Sequence, residues 1–182
     1  MTAQTTIAAL AAALLVCMRP AVAAEAAREY ELKAAFLYNF ARFVDWPAQG
    51  VTTPGVLTLC VLGDSPFGRD LDPIAGKTVG RASLRVRGIT IDAASGCQIV
   101  FISGSEAPRL ERDLARLRGS PVLSVGDSPG FAERGAVINF YLDQAKVRFE
   151  INIDAAQRSG LTVSSQLLRL ARIVHDRGGA ND

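Results

Sequence analysis

A chain of 182 residues with 20 Lys and Arg against 18 Asp and Glu, net +2, is long enough for one domain with a real core. Its charge balance excludes the basic excess that nucleic acid or a strongly anionic surface calls for. Beyond the first two dozen residues, no stretch is long and apolar enough to cross a bilayer.

Residues 1–24 read as an export signal. Ile7–Val16 is almost wholly apolar, has the length of a signal core and is too short to span a membrane; Ala21-Val22-Ala23 and Val22-Ala23-Ala24 offer small residues for cleavage. Lipidation at Cys17 is disfavoured because Val16 stands where a small residue is required. Cleavage removes only Arg19 among the charges and leaves 182 − 24 = 158 residues, a single domain over 25–182 with 19 basic against 18 acidic side chains.

Glu25–Trp46 is expected to be a helix, with Leu32, Phe36, Phe40 and Phe43 on its buried stripe and Pro47 ending it. Tyr38 projects away from that stripe and Trp46 lies at its end, so both are candidates for a partner surface. Val56–Leu62 is a continuous apolar run, as in a strand covered on both faces. Phe67–Ile74 is expected to form a short helix ended by Gly76, and Leu84–Ile91 a half-exposed strand whose Arg85 and Arg87 join Arg81 in a modest basic cluster. Ile99–Ser103 reads as a buried strand. Glu106–Leu117 reads as a helix with Leu110, Leu114 and Leu117 on one side and Arg109, Arg112, Asp113 and Arg116 on the other. Val122–Val125 is a further strand and Phe131–Arg134 a helical turn.

Val137–Leu142 and Val147–Asn152 then form a hairpin across the turn Asp143-Gln144-Ala145-Lys146. Val147, Phe149 and Ile151 take one face; Arg148, Glu150 and Asn152 take the polar face, which is open to a partner or to water. Asp154 is expected to cap a short helix that Gly160 ends, and Ser164 or Ser165 to cap a last one striped by Leu167, Leu170, Ala171 and Val174. Alternating strands and helices imply a single α/β domain: a mostly parallel central sheet flanked by helices on both faces, with an antiparallel hairpin in the C-terminal part.

Gly63-Asp64-Ser65-Pro66 recurs as Gly126-Asp127-Ser128-Pro129, each after a strand. Both read as turns at the carboxyl edge of the sheet, where open α/β sheets bind ligands, so Gly63, Asp64, Ser65, Gly126, Asp127 and Ser128 are candidates for a small-molecule crevice. The same tripeptide resembles an esterase nucleophile turn. Such a serine needs a base, the only histidine is His175, and Arg172 stands where an Asp three residues before it would be needed. Gly63-x-x-x-x-Gly68 departs from a phosphate loop at Arg69 and Asp70. No catalytic set, cofactor motif or metal-ligand spacing emerges. Cys60 and Cys97, an even pair in an oxidising compartment, favour a disulfide worth about 3.5–4 kcal/mol over a reactive thiol or two-ligand metal site.

Taken in order, Tyr38–Pro47, Cys60–Gly68, Cys97–Ser103, Val147–Asn152 and Gly160–Leu168 resemble the YfiR family of exported proteins. The resemblance implies a periplasmic, dimeric repressor that holds the periplasmic domain of an inner-membrane diguanylate cyclase inactive. An OmpA-like outer-membrane lipoprotein relieves that repression, and cyclic di-GMP and biofilm formation follow. Cys60 and Cys97 match a disulfide pair of the best-known member; a second, later pair there has no counterpart here.

Overall fold

The computed structural model describes residues 19–50 and 53–177. A long helix, α1 (Arg19–Phe43), leads into a two-residue strand, β1 (Val44–Asp45). Next come β2 (Val56–Leu62), β3 (Thr78–Val79), β4 (Ala82–Ile89) and β5 (Ile99–Ile102), then a 3-10 turn over Gly104–Arg109 that runs into α2 (Leu110–Leu117). The chain continues through β6 (Leu123–Gly126), β7 (Ile138–Asp143), β8 (Lys146–Asn152), α3 (Ile153–Arg158), β9 (Thr162–Val163), α4 (Ser165–Leu168) and β10 (Arg172–Val174).

Eight strands make one sheet in the order β10-β8-β7-β6-β5-β2-β4-β3, while β1 and β9 pair antiparallel apart from it. Five neighbours, β4-β2-β5-β6-β7, are parallel; β3 and β8 run against them, and β10 is parallel to β8. The mostly parallel α/β sheet with its antiparallel hairpin is therefore as the sequence implies. The hairpin closes through Gln144 and Ala145, both with positive φ (48° and 60°), which matches the right-handed twist of the flanking strands.

The period of two divides the core between the faces. Leu57, Leu59, Val61, Ile99, Phe101, Leu123, Val125, Phe140 and Phe149 lie beneath α1, where Phe40 stacks on Phe140 and meets Phe149 edge-on, and Phe36 packs tilted against both. Cys60, Leu62, Val100 and Ile102 point to the other face and are covered by Leu110 and Leu117 of α2 and by Phe131.

The buried stripe of α1 keeps Phe36, Phe40 and Phe43 against the core, as expected, but not Leu32. Leu32 is 45% exposed, whereas Lys33 is only 3% exposed and lies among Ala34, Leu37, Phe40 and Ala41. A buried ammonium needs partners. Lys33 Nζ lies 2.5 Å from Glu29 Oε1 and 2.9 Å from Asp127 Oδ2, and 4.3 Å from the centroid of Tyr30, whose hydroxyl also donates to Asp127 Oδ2 at 2.9 Å. Burial, together with the Asp127 carboxylate, pushes the Tyr30 phenol up.

Other differences have local causes. Helix α1 stops at Phe43, three residues before the expected end, because Val44 and Asp45 pair with Val163 and Thr162. Phe67–Ile74 is a succession of turns rather than a helix, while Phe131–Arg134 is a turn closed by Arg134 N on Gly130 O, as expected. Asp113, placed on the polar side of α2, is fully buried beside Leu110 and Leu117. The last helix ends at Leu168, and the β-branched pair Ile173-Val174 extends as β10 along β8. Ser164 does cap α4, but the cap of α3 is Asn152 rather than Asp154. Residues 1–18 of the expected export signal lie outside the described residues.

Lys33→Ala leaves Asp127 without its cation and should cost about 3 kcal/mol, while Leu32→Ala should cost under about 0.5 kcal/mol. Urea unfolding of the two variants checks the inversion.

Candidate functional site

The second face of the sheet changes character from β6 onward. Gly126 pairs with Asn139, Asn139 with Glu150, and Glu150 with Arg172, so one polar row crosses four strands. Asn139 and Glu150 are 2% exposed. Asn139 Nδ2 donates to Glu150 Oε1 at 3.2 Å, and Arg172 grips Glu150 Oε2 through Nε at 3.1 Å and through Nη2. The Arg172 guanidinium lies 4.3 Å over the Tyr141 ring, and the Glu150 carboxylate holds it above the usual arginine range. Asn139 Oδ1 is buried without a hydrogen-bond partner. A β-carbon at Gly126 would run into the Phe131 ring and stand 3.3 Å from Asn139 Oδ1, so the row needs glycine at its inner end.

A second knot lies beside this row. Asn152, 0% exposed, accepts from Ala155 N at 2.9 Å and donates to Ala132 O and Asp176 Oδ1, both at 2.7 Å. Arg158 from α3 also grips Asp176, with Nη2 to Oδ1 at 3.1 Å, while His175 Nδ1 lies 3.1 Å from Asp154 Oδ2. Burial alone would raise the Asp176 carboxyl, but the bonds from Arg158 and Asn152 outweigh it and hold the group below the usual carboxylate range.

Glu150 and Asn152 are thus not on an outward polar face, which corrects the reading of that strand. Both are buried, Glu150 on the polar row and Asn152 in the knot beside it, because Arg172 and Asn139 satisfy the first and Ala155, Ala132 and Asp176 the second. Of the three, Arg148 alone is exposed. Tyr38 is half-buried; its hydroxyl donates to Thr78 O at 2.9 Å, and Arg42 and Lys77 lie over its ring. Trp46 is half-buried and donates from Nε1 to Gln98 O at 3.1 Å.

The two repeated turns do lie at the carboxyl ends of β2 and β6. Ser105 Oγ accepts from Asp64 N at 3.0 Å, Ser103 Oγ donates to Asp64 O at 2.6 Å, and a β-carbon on Gly63 would stand 2.5 Å from Ser105 Oγ. Ser65 Oγ accepts from Phe67 N at 3.4 Å, and Asp127 holds Lys33. A β-carbon on Gly104 would be 3.3 Å from Ser128 Oγ. His175 follows β10, whose end lies at the opposite edge of the sheet from Ser65 and Ser128, so neither serine is paired with it. A cleft of about 500 Å³ opens at that opposite edge, between Leu114 and Leu117 of α2 and Ala155 and Arg158 of α3, over Ser124.

Cys60 and Cys97 form a disulfide, with S–S 2.04 Å and Cα–Cα 6.0 Å. It ties β2 to the turn before β5. Arg87 does not simply extend into solvent: it donates to Ala93 O, to Ser95 O and, at 3.4 Å, to Cys97 Sγ.

The YfiR/HmsC-like family model matches residues 30–172, from the start of the Tyr30–Lys33 contact to the Arg172 that closes the polar row. The chain belongs to the YfiR/HmsC-like family. Solved structures share the fold at low identity. A Streptococcus pneumoniae protein described as an ABC domain in complex with L-Trp matches at TM-score 0.52 and 14% identity, over 68% of this chain and 57% of that one. A Vibrio cholerae conserved domain protein matches at TM-score 0.51 and 14% identity, over 69% and 56%. The chain spans little more than half the length of either. The matched YfiR-like segment contains α1 from Tyr30 onward, the disulfide and the hairpin, but only the first residue of β10.

Arg172→Ala strands the Glu150 carboxylate and should cost about 2 kcal/mol, the exposed side of Arg172 keeping the loss below that of a fully buried pair. Adding Glu150→Gln should recover most of it, read as a double-mutant cycle by urea unfolding. The depressed Asp176 carboxyl contributes stability that is present above its unfolded pKa of about 4 and is lost as pH falls through its lower folded value. Amide exchange at Val174–Arg177 should therefore accelerate selectively on acidification below about pH 4, and Asp176→Asn should abolish that step.

Proposed function

We propose that this YfiR-like protein is a periplasmic regulator that binds and represses the periplasmic domain of an inner-membrane diguanylate cyclase. It thereby lowers cyclic di-GMP and biofilm formation, and an OmpA-like outer-membrane lipoprotein relieves the repression. The observation that carries the reading is the family match over residues 30–172, which supports a regulatory rather than a catalytic role. The geometry is compatible with it: the buried Asn139, Glu150 and Asn152 of the hairpin are spent on internal bonds that hold its surface in place, while Arg148 stays exposed. Export by cleavage near residue 24 and action as a homodimer belong to the same proposal.

A regulator shifts its target only by its difference in affinity for the two states of that target; about 5.5 kcal/mol moves 1:99 to 99:1. A dimer meeting a symmetric receptor reaches that through modest contacts used twice. Tyr38, Trp46 and Arg148 are the proposed contacts, since each leaves part of its side chain accessible.

Deletion of the gene in a strain that retains the cyclase should raise cellular cyclic di-GMP and surface attachment, and a plasmid copy should reverse both. Unchanged cyclic di-GMP would rule out repression. Replacing Cys60 and Cys97 together by Ser should cost about 3.5–4 kcal/mol of stability by urea unfolding, whatever the partner.

A further inference from the structure

Every internal strand of the sheet is paired on both sides, and one outer strand, β3, is a two-residue hairpin arm. The other outer strand, β10, pairs only with β8, so one edge of its backbone has no sheet partner among the described residues. Open edges are templates for a further strand, and proteins that leave them open protect them with charge or shortness. β10 has both protections but also carries an apolar invitation. Four large hydrophobic residues stand out as exposed among the described ones, and two belong here: Leu170 at 71% and Ile173 at 43%. Ile173 pairs with Ile151, so its side chain continues an apolar row of the α1 face out to the rim.

Arg172, His175 and Arg177 already face Glu150, Asp154 and Glu133, but the charged side chains of this edge left outside every ion pair among the described residues are basic. Arg169, Arg172, His175 and Arg177 fall within nine residues, and Asp176, the only acid among them, is consumed by Asn152 and Arg158. Neither Arg169 nor the nearby Arg148 makes an ion pair among the described residues, and both are exposed. A second copy paired antiparallel about Ile173 would place Arg172 opposite the other copy's Val174 and diagonal to its Arg172 on the same face, like charges within reach of each other, which disfavours self-association at this edge. An extended segment with an apolar residue beside Ile173 and carboxylates on either side meets the reverse condition: its backbone completes the ladder and its charges face arginines.

We propose that the free edge of β10 receives an extended, acidic segment of a protein partner as an added strand. Arg172 thereby has two roles, gripping Glu150 to hold β10 in the sheet and facing the incoming strand. The inference rests on the reading of the chain as a regulator that acts through a protein partner, but it is tested without that partner.

The test uses the exported protein, isotope-labelled, with three capped synthetic peptides of about eight residues, the length of an ordinary strand: alternating Val and Glu, alternating Val and Lys, and the Val/Glu peptide with a central Pro. The Val/Glu peptide should shift and protect the amides of Leu170–Val174. The lysine peptide should bind about tenfold more weakly, and the proline peptide should give no protection. Arg169→Glu, at a residue outside every described ion pair, should weaken the Val/Glu peptide about fivefold with the fold intact. Equal responses to the three peptides, no response to the acidic one, or shifts confined to other strands would overturn the proposal. So would concentration-dependent protection of β10 without peptide, which assigns the edge to a second copy. Protection lost on removing residues 178–182 would likewise overturn it, assigning the edge to the chain's own end. None of these outcomes bears on the cyclic di-GMP assay, so the two readings fail separately.

Discussion

The C-terminal third of this protein hangs on one buried carboxylate. Glu150 sits near the open end of the hairpin, 2% exposed on the α2 face, and a charge there is tolerable only with a cation and a hydrogen bond in place. Arg172 supplies the first and Asn139 the second, and because Arg172 lies on β10, satisfying Glu150 places a strand at the sheet's edge. From that placement follow the early end of α4, the position of His175, and the strap of Asp176 onto Asn152 and Arg158.

The other half of the molecule is organised by a comparable contact of opposite sense. Lys33 brings a positive charge into the apolar stripe of α1, and Asp127 at the end of β6 meets it. The Lys33 contact fixes α1 over the α1 face of the sheet, where four phenylalanines interlock, and the Glu150 contact fixes β10 at the far edge. Between them runs Gly126-Asp127, whose glycine ends the polar row and whose aspartate holds the helix. The repeated tetrapeptide is thus structural at its second occurrence. At its first, Asp64 is tied by backbone to Ser103 and Ser105.

These features suit a molecule whose work is contact. Lys33, Glu150 and Asn152, buried polar groups, are spent on holding strands and helices in place, and Arg148 and Arg169 stay exposed at the rim. The disulfide adds a covalent tie between β2 and the turn before β5, on the α2 face. Its neighbour Arg87, though exposed, also bonds the turn that carries Cys97.

Period-two and period-3.6 patterns made Val56–Leu62, the Asp143–Lys146 turn, α2 and the Ser164 cap legible, because each depends on neighbours within one turn or one hairpin. The cysteine pair was legible because parity and compartment leave few options. Sequence by itself determined the α/β class, the parallel sheet, the hairpin and the family. It misplaced Leu32, Asp113, Glu150 and Asn152, and the helix that became β10, and it made no reading of Lys33. Most of these turn on a partner tens of residues away: Asp127 for Lys33, Arg172 for Glu150, Asp176 for Asn152, β8 for β10; Asp113 instead pairs with its neighbour Arg112. Local periodicity treats a charge as a mark of solvent. Only the tertiary structure decides whether an opposite charge arrives to take it inside.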